Sequence, residues 1–411
     1  MKRLLKKLLN AFGIQIIRLR CAKREQLVTL HPDHPPQGTV LLSWRLEPFT
    51  LMPGEPIPNS HTQYWECAQI ARTFLDLGFV MDVIDSHNQT FHPTKPYVCF
   101  IGHRINFDRL AGLLKQDCIK IAYFDTSHWV FNNSATYRRK LELQQRKGVT
   151  IEKSHRLVEH NLAVEHADYA VLYGNEFTLS TYQYANKPLF CVPISTCALL
   201  PWPEQKHYDA CRANFRWFGS QGFVHKGLDL VLEAFADMPD YQLYVCGPFQ
   251  KEKEFVKVFY PELYQTPNIH AIGWVDVNGP EFLEVVNKCV GGVYPSCAEG
   301  QAGAATTLMH AGLVPLVSYE SGVDVDDCGM VFKDHSIQTI RETVRMVSQL
   351  PADHLQRMAR KAWECARAVH TRENFAREFQ KAIFTILKIN SGDPSPYNGP
   401  WPTASPLRPA A

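Results

Sequence analysis

Short apolar runs alternate with amphipathic helical patterns along most of this chain, and this alternation constrains the fold more than any other feature. The runs predict strands in two sets, the first at 39–44, 80–85, 97–102, 119–125, 167–173 and 188–194 and the second at 215–219, 241–247, 268–273, 290–295 and 313–318. A helical segment such as Leu228–Ala236 follows most of them. Strands that alternate with helices predict parallel, doubly wound α/β sheets.

The length of 411 residues favours two domains over one, because a single hydrophobic core seldom grows so large. The segment Cys197–Cys211 contains two prolines and no clear periodicity, so we interpret it as the linker. This places an N-terminal Rossmann-like domain at 36–196, a second one at 212–370 and a closing helix at 371–390. Two α/β domains joined by one linker predict a cleft between them.

Both ends of the chain differ in composition from the two domains. Residues 1–20 predict a basic amphipathic helix with one apolar face (Leu4, Leu5, Leu8, Leu9, Phe12) opposite a basic one (Lys2, Arg3, Lys6, Lys7). No uncharged run there reaches the ~20 residues that span a bilayer. We expect this helix to bind an anionic membrane surface, which predicts a cytoplasmic protein that is peripheral to the membrane. A helix packed on its own domain and a mitochondrial presequence are the alternatives. Residues 391–411 are rich in Pro, Ser and Ala and predict a disordered tail.

The charge balance argues against some classes of partner. Lys+Arg 43 against Asp+Glu 41 gives a net charge of +2, whereas nucleic-acid binders carry a clear basic excess. The 12 cysteines form no CxxC pair, which disfavours a zinc ribbon. The histidines at 155, 160 and 166 lack the i, i+4 spacing of a metal-binding helix. We therefore expect no nucleic acid, no metal and no cofactor.

The stretch Pro295–Ser318 carries the strongest chemical signal. A predicted strand ends in Pro-Ser, the carboxylate of Glu299 follows, and two glycines with small neighbours lead into a helix and another strand. This order puts an acid and several backbone N–H groups at the carboxyl edge of a parallel sheet, beside a helix N-terminus. Open α/β sheets bind ligands at that edge, and helix N-termini hold phosphates.

A lysine occupies the equivalent position on another strand of the same predicted sheet. The strand 215–219 is followed by Gly222, Lys226 and Gly227, and then by a helix. Lys226 is well placed for a diphosphate, and the two glycines let the backbone approach it closely. The GxxxxGK[ST] spacing of a Walker loop is absent.

Four segments, FGSQGFVHKGLDLVLEAF, YQLYVCGP, NIHAIGWV and YPSCAEGQAGAATTLMHAGLVPLVS, resemble the C-terminal half of retaining glycosyltransferases that use nucleotide sugars. The resemblance covers roughly residues 214–318 and implies the GT-B fold of two Rossmann-like domains facing a cleft. It implies that Lys226 contacts the donor diphosphate and that Glu299 lies beside the donor sugar. It also implies phosphate binding by the backbone after Glu299, at Gly300, Gln301, Ala302 and Gly303.

Two positions depart from this family. A second glutamate usually binds the donor ribose where this chain has Thr307, which offers one hydroxyl. The family also has an arginine a few residues before the lysine, which faces the diphosphate. In this chain that position falls near Ser220, and His225 and Arg216 are candidates to supply the missing cation. In the first domain, His128 follows a predicted strand and is a candidate for contact with the sugar or the leaving group. His61 lies where the family has a glycine-rich loop, after a predicted N-cap at Ser60.

These features predict a glycosyltransferase that moves a sugar from a nucleoside-diphosphate donor to an acceptor hydroxyl, in cell-envelope or surface glycan synthesis. The partners would be the donor and a glycan or lipid-linked acceptor. The alternatives are a catalytically inactive binding or scaffold protein with the same body and a GT-B enzyme with different chemistry, such as a sugar epimerase.

Overall fold

The computed structural model describes residues 25–388 apart from Pro53 and Ser154. The predicted amphipathic helix at 1–20 and the predicted tail at 391–411 lie outside this range. Within the described residues, no helix is both long enough and apolar enough to cross a membrane.

The described residues form thirteen strands, which are numbered in chain order as β1 Leu27–Leu30, β2 Gly38–Trp44, β3 Phe79–Asp85, β4 Cys99–His103, β5 Ile119–Phe124, β6 Tyr169–Tyr173, β7 Leu189–Val192, β8 Asn214–Phe218, β9 Gln242–Cys246, β10 Ile269–Gly273, β11 Gly291–Tyr294, β12 Val314–Val317 and β13 Met330–Val331.

The helices of the described residues, also in chain order, are α1 Thr62–Asp76, α2 Phe107–Leu113, α3 Trp129–Lys147, α4 Ala163–His166, α5 Glu176–Ser180, α6 Tyr208–Cys211, α7 Leu228–Ala236, α8 Lys253–Val258, α9 Tyr260–Tyr264, α10 Pro280–Asn287, α11 Gly303–His310, α12 Ile337–Gln349, α13 Ala352–Val369 and α14 Arg372–Ile386.

The strands form two sheets. The first has seven strands in the order β1-β3-β2-β4-β5-β6-β7, with β1 antiparallel to β3 and the pairs β2–β3, β2–β4 and β4–β5 parallel. The second has six strands in the order β10-β9-β8-β11-β12-β13, and its neighbours are parallel throughout. The chain is therefore an α/β protein with two doubly wound sheets, as the alternation predicted.

The contacts divide the described chain into two compact units. The first contains the residues up to Tyr123, Asn161–Val171 and those from Phe379 onward, and the second contains Phe124–His160 and Leu172–Glu378. The core of the second unit is built on β8, where Phe215 and Trp217 point to the same face and are fully buried. Helices α7 and α12 cover that face with apolar residues. Burial of such side chains stabilises a unit by about 1.5–3 kcal/mol each.

Local details differ from the sequence prediction in three places. His61, and not Ser60, is the N-cap of α1, because its Nδ1 accepts a hydrogen bond from the N–H of Gln63. The strand β1 was missed, since four residues beside a Pro-rich segment give little periodicity. The strand β13 was missed because it has only two residues.

Candidate functional site

The loop between β8 and α7 carries Lys226. Its backbone N–H donates to the carbonyl of Gly222 at 2.8 Å, and Gly227 closes the turn at a φ of +72° just before the helix begins. A positive φ of this kind favours glycine. The Lys226 side chain is buried, so its ammonium group needs partners inside the protein.

The loop between β11 and α11 lies directly beside it. In the register of the second sheet, Gly291 on β11 pairs with Phe215 on β8. The chain proceeds from β8 through β9 to β10 on one side of the sheet, and β11, β12 and β13 lie on the other side. The strand order thus reverses between β8 and β11, and ligands bind at such a switch point in open α/β sheets.

Lys226 and Glu299 form a buried ion pair at this switch point. The Lys226 Nζ donates to the Glu299 Oε1 at 2.7 Å and to the Tyr294 hydroxyl, also at 2.7 Å. The hydroxyls of Tyr294 and Ser296 donate to the same Oε1 at 3.0 and 3.1 Å. The two residues that the sequence singled out on different loops are therefore in direct contact.

Arg156 is a further member of the site that the sequence analysis missed. Its Nη2 donates to the Glu299 Oε2 at 2.6 Å, although the two residues are 143 positions apart. The backbone carbonyl of Arg156 accepts from the Asn132 Nδ2 at 2.7 Å, which ties its loop to helix α3. The segment around Arg156 has no motif or periodicity, so nothing in the sequence marks it.

Gly222 makes room for this arginine. A Cβ atom added at Gly222 would lie 2.3 Å from the Arg156 Cγ, and the φ of Gly222 is +97°. The Gly222 N–H donates to the carboxylate of Glu252, and the N–H of Phe223 donates to the same carboxylate at 3.2 and 3.3 Å. Gly222 therefore lies beside the ion pair of Arg156 and Glu299, with Arg156 packed against it.

The charges of the site are strongly coupled. Burial alone would raise the pKa of the Glu299 carboxyl, but Arg156 and Lys226 together lower that pKa well below its usual range. Burial lowers the pKa of Lys226, and Glu299 opposes this change. Glu299 raises the pKa of Arg156 above its ordinary value. Glu299 is thus ionised at neutral pH and acts as an anion that orients two cations, with no proton to donate.

His128 lies at the start of α3, next to the Glu299 loop. The N–H of Ser127 donates to the carbonyl of Glu299 at 3.1 Å. The His128 Nδ1 caps α3 by accepting from the N–H of Val130, so the ring proton of a neutral imidazole is on Nε2. The Nε2 is 2.9 Å from the hydroxyl of Tyr184. A capping role for His128 is therefore visible in the structure.

The backbone after Glu299 is closely packed. A Cβ atom at Gly300 would lie 2.8 Å from the carbonyl oxygen of Asp125, so only glycine fits there. The Gln301 side chain accepts from the N–H of Ile194 at 2.7 Å, and the N–H of Ala302 donates to the carbonyl of Ser321 at 2.9 Å.

Helix α11 begins at Gly303, with Ala302 as an N-cap whose side chain makes no capping hydrogen bond. The first N–H groups of a helix have no intrahelical acceptor, so this turn offers donors to an anion. The Thr307 hydroxyl donates to the carbonyl of Gly303 at 2.7 Å. In this arrangement the hydroxyl is committed to its own helix.

Neither of the two residues considered as replacements for the missing arginine is in the ion-pair cluster. Arg216 is fully buried on β8, where its guanidinium lies 4.2 Å from the centre of the Phe282 ring. His225 is also buried, with its Nδ1 2.8 Å from the Thr136 hydroxyl and its Nε2 bonded to the carbonyl of Ala298. The second cation in contact with Glu299 is Arg156.

The folded chain is similar to known structures at low sequence identity. Sucrose-phosphate synthase from Thermosynechococcus elongatus matches with a TM-score of 0.59 at 12% identity over 86% of this chain and 100% of that one. OtsA matches with a TM-score of 0.58 at 9% identity over 86% and 100%. Both proteins have the GT-B architecture of two doubly wound sheets. The protein has the GT-B fold. This confirms the fold that the sequence resemblance implied.

Two more GT-B structures extend the comparison. HepE from Anabaena, solved with UDP and glucose, matches with a TM-score of 0.53 at 10% identity over 86% of this chain and 100% of that one. TarM matches with a TM-score of 0.51 at 10% identity over 70% of this chain, which spans only 54% of the TarM chain. No family model matches the sequence, and no curated protein matches it.

Proposed function

We propose that the protein is a glycosyltransferase that moves a sugar from a nucleoside-diphosphate donor to an acceptor hydroxyl. The observation that carries this proposal is the ion-pair cluster of Lys226, Arg156 and Glu299 at the switch point between β8 and β11. Two cations held together at the carboxyl edge of a GT-B sheet can bind a diphosphate, because charge-assisted hydrogen bonds to phosphate are strong.

UDP is the first nucleotide to test. The structure of HepE was solved with UDP and glucose, and a structure of a TarM variant contains UDP, with a TM-score of 0.50 to this chain at 10% identity. Both have the same fold as this protein. We propose that UDP is also the nucleotide of the donor of this protein, and we do not assign the sugar.

The residues of the cluster would divide the work of the reaction. The transfer breaks the bond between the anomeric carbon and the diphosphate, so negative charge grows on the leaving diphosphate and positive charge on the sugar ring. Lys226 and Arg156 would stabilise the leaving group. Glu299 would keep both cations in place and lie beside the donor sugar. His128 would donate its Nε2–H to a sugar hydroxyl or to the leaving group.

We propose that the reaction retains the anomeric configuration, as the resemblance to retaining enzymes implies. We also propose that it needs no metal ion, because side-chain cations can neutralise the diphosphate. NMR spectroscopy of the product would reveal its anomeric configuration, and inversion would contradict the first part. Activity that disappears with a chelator and returns with Mg²⁺ would contradict the second.

A catalytically inactive scaffold with the same body is the second candidate. The observation that favours it is the Thr307 hydroxyl, which bonds to the carbonyl of Gly303, at the position where the resemblance implies a ribose-binding glutamate. Such a protein would still bind the nucleotide through Lys226 but would not turn it over. Nucleotide binding without transfer or hydrolysis would support this candidate.

We propose in addition that residues 1–20 bring the protein to an anionic membrane, where a lipid-linked or cell-envelope acceptor would be available. The opposed basic and apolar faces of this segment support the proposal. Flotation with vesicles of phosphatidylglycerol and phosphatidylcholine tests it. A variant that lacks residues 1–20 should stay at the bottom of the gradient, and equal flotation of both proteins would refute the anchor.

The experiment for the main proposal has two steps. A panel of UDP- and GDP-sugars is first screened by thermal shift, since a bound donor stabilises the protein by mass action. The stabilising donor is then followed for turnover with the wild type and with Glu299→Gln. We expect turnover by the wild type and a loss of roughly a hundredfold or more in the variant, as for other removed transition-state charges. Full activity of Glu299→Gln would remove Glu299 from the reaction.

A further inference from the structure

The backbone amides of Gly222 and Phe223 hold the carboxylate of Glu252, 30 residues further along the chain. The Phe223 N–H lies 3.3 Å from the Glu252 Oε1 and 3.2 Å from its Oε2, and the Gly222 N–H donates to the same Oε1. Gly222 has a φ of +97°, which turns two successive N–H groups toward one point. Successive amides of this kind form a nest, a concavity that binds anions.

Two backbone amides and two basic side chains act on the Glu252 carboxylate. Burial raises the pKa of Glu252 above its ordinary value, and the two amides, His155 and Lys226 oppose that change by favouring the charged form. The nest precedes Lys226 by only three residues, and the Lys226 N–H bonds to the carbonyl of Gly222 within the same loop. The carboxylate is therefore in the field of the lysine that is proposed to bind the diphosphate.

The backbone of Glu252 is held independently of its side chain. The Glu252 N–H donates to the carbonyl of Phe249 at 3.0 Å, and its carbonyl accepts from the N–H of Val256 at 3.1 Å, in the first turn of α8. The side chain can therefore rotate away from the nest while the backbone and the helix stay in place.

We propose that the Gly222–Phe223 nest is a phosphate subsite, which Glu252 occupies as a carboxylate surrogate and yields to a phosphate of the donor. This inference rests on the nucleotide-sugar function proposed above, and it adds a second binding element and a residue that sets donor affinity. A carboxylate and a phosphate both present oxygen acceptors to N–H groups. Two anions within a few ångströms of each other repel, so the carboxylate must leave when the phosphate arrives.

Glu252 thus weakens donor binding, and removal of its charge strengthens it. We expect Glu252→Gln to lower the Kd of UDP by roughly three- to tenfold, the size of one charged contact. Glu254 provides the matched control, because its carboxylate also accepts from two successive amides, those of Glu152 at 3.0 Å and Lys153 at 3.3 Å. Glu254→Gln should leave the Kd of UDP within about twofold of the wild type, since its carboxylate contacts the amides of Glu152 and Lys153 and not the nest.

Titration calorimetry with UDP, inorganic pyrophosphate and uridine tests the subsite. In Glu252→Gln, UDP and pyrophosphate should gain affinity by similar factors and uridine should gain none. A Glu252→Gln variant that binds UDP as the wild type does, or more weakly, would overturn the subsite. Glu252 would then have only a structural role, in which its carboxylate holds the loop through the amides of Gly222 and Phe223. An equal gain for uridine would also overturn it.

Two substitutions distinguish a failure of the subsite from a failure of the proposed function. If Lys226→Ala loses UDP binding while Glu252→Gln gains none, the subsite is wrong and the function stands. If Lys226→Ala binds UDP as the wild type does, the function itself fails. Thermal unfolding without nucleotide checks the variants. Should Glu252→Gln be unstable, Glu252→Asp serves instead, because the shorter side chain withdraws from the amides, and it should show a smaller gain in the same direction.

Discussion

Arg156 and Glu299 are joined by an ion pair of 2.6 Å between Nη2 and Oε2, although 143 positions separate them in the chain. Glu299 also binds Lys226, so one buried carboxylate holds two cations from different loops. The second cation of this site thus comes from the loop after α3, and the strand-end position near Ser220 does not supply it.

The glycine at position 222 is required by this arrangement, and its substitution tests the packing. Gly222→Ala should destabilise the protein by about 2–3 kcal/mol, because the new Cβ would overlap the Arg156 Cγ at a positive φ. Urea unfolding measures the change. The same substitution in an Arg156→Ala background should cost less, since the overlapping side chain is gone.

Gly112→Ala is the control for Gly222→Ala. Gly112 lies in α2, and an added Cβ would meet no atom within 4 Å. Its substitution should leave stability unchanged or raise it by about 0.5–1 kcal/mol, as alanine favours a helix. A Gly222→Ala variant as stable as Gly112→Ala would contradict the packing of Arg156 on Gly222.

The coupling between Lys226 and Glu299 can be measured with a double-mutant cycle. Glu299→Gln should cost about 3–5 kcal/mol of unfolding free energy, because it leaves the buried ammonium of Lys226 without its counter-ion. Lys226→Met should cost less, because Glu299 keeps its ion pair with Arg156. The double variant should cost less than the sum by about 1–3 kcal/mol. Additive costs would show that the two side chains do not interact in solution.

The fold was predictable from the sequence because its signals are local. The strand β8 and the helix α7, for example, follow directly from FRWFG and LDLVLEAFA. The positions of Lys226 and Glu299 at one edge of the sheet were also predictable, since each follows a buried strand and the carboxyl ends of parallel strands share one edge. Their direct contact was not, because sequence order alone does not give the distance between two loops.

Arg156 and Glu252 were not predictable for a different reason. Each reaches the site from an irregular segment, and no spacing rule connects 156 with 299 or 252 with 222. Arg216 shows the converse error, because an arginine near a strand end was considered as a ligand for the diphosphate. The alternation of side chains along β8 instead turns it to a buried face against Phe282.

Substitution can separate the capping role of His128 from the role in the reaction that is proposed for it. His128→Asn should keep the cap of α3 and hence the stability to within about 0.5 kcal/mol, since asparagine is a good N-cap. His128→Ala should cost about 1 kcal/mol through loss of the cap. Turnover of the donor should fall in both variants if the Nε2–H acts on the substrate. Unchanged turnover in His128→Asn would leave His128 as a capping residue only.

The stability of the protein should fall on mild acidification because of three buried histidines. Burial lowers the pKa of His225 to about 3, of His310 to about 4 and of His370 to about 3. Each folded-state pKa is below the unfolded value of ~6.5, so the unfolded chain takes up the protons first as the pH falls. The loss of stability is absent above pH ~6.5 and grows as the pH falls toward the folded-state pKa values of the histidines.

Each of these histidines should therefore lower the free energy of unfolding by roughly 2 kcal/mol between pH 7 and pH 5. Urea unfolding at the two pH values measures this change. His225→Gln should reduce this loss of unfolding free energy by the contribution of one histidine, roughly 2 kcal/mol, whatever the substitution does to stability at pH 7. Glu299 does not add to this loss in the same window, because its lowered pKa keeps its contribution until the pH falls below the ordinary glutamate range. A loss that His225→Gln leaves unchanged would contradict the neutral, buried imidazole.

The central claim is that Lys226 binds the diphosphate of a nucleotide sugar, and titration calorimetry with UDP and GDP tests it most directly. The wild type should bind at least one of the two nucleotides, and Lys226→Ala should bind it at least about tenfold more weakly, the cost of one charge-assisted contact. Lys288→Ala is the control, since Lys288 is half-exposed and pairs with Glu284 at 2.7 Å, and it should bind as the wild type does. Equal affinity in the wild type and Lys226→Ala, or no binding of either nucleotide by the wild type, would contradict the account.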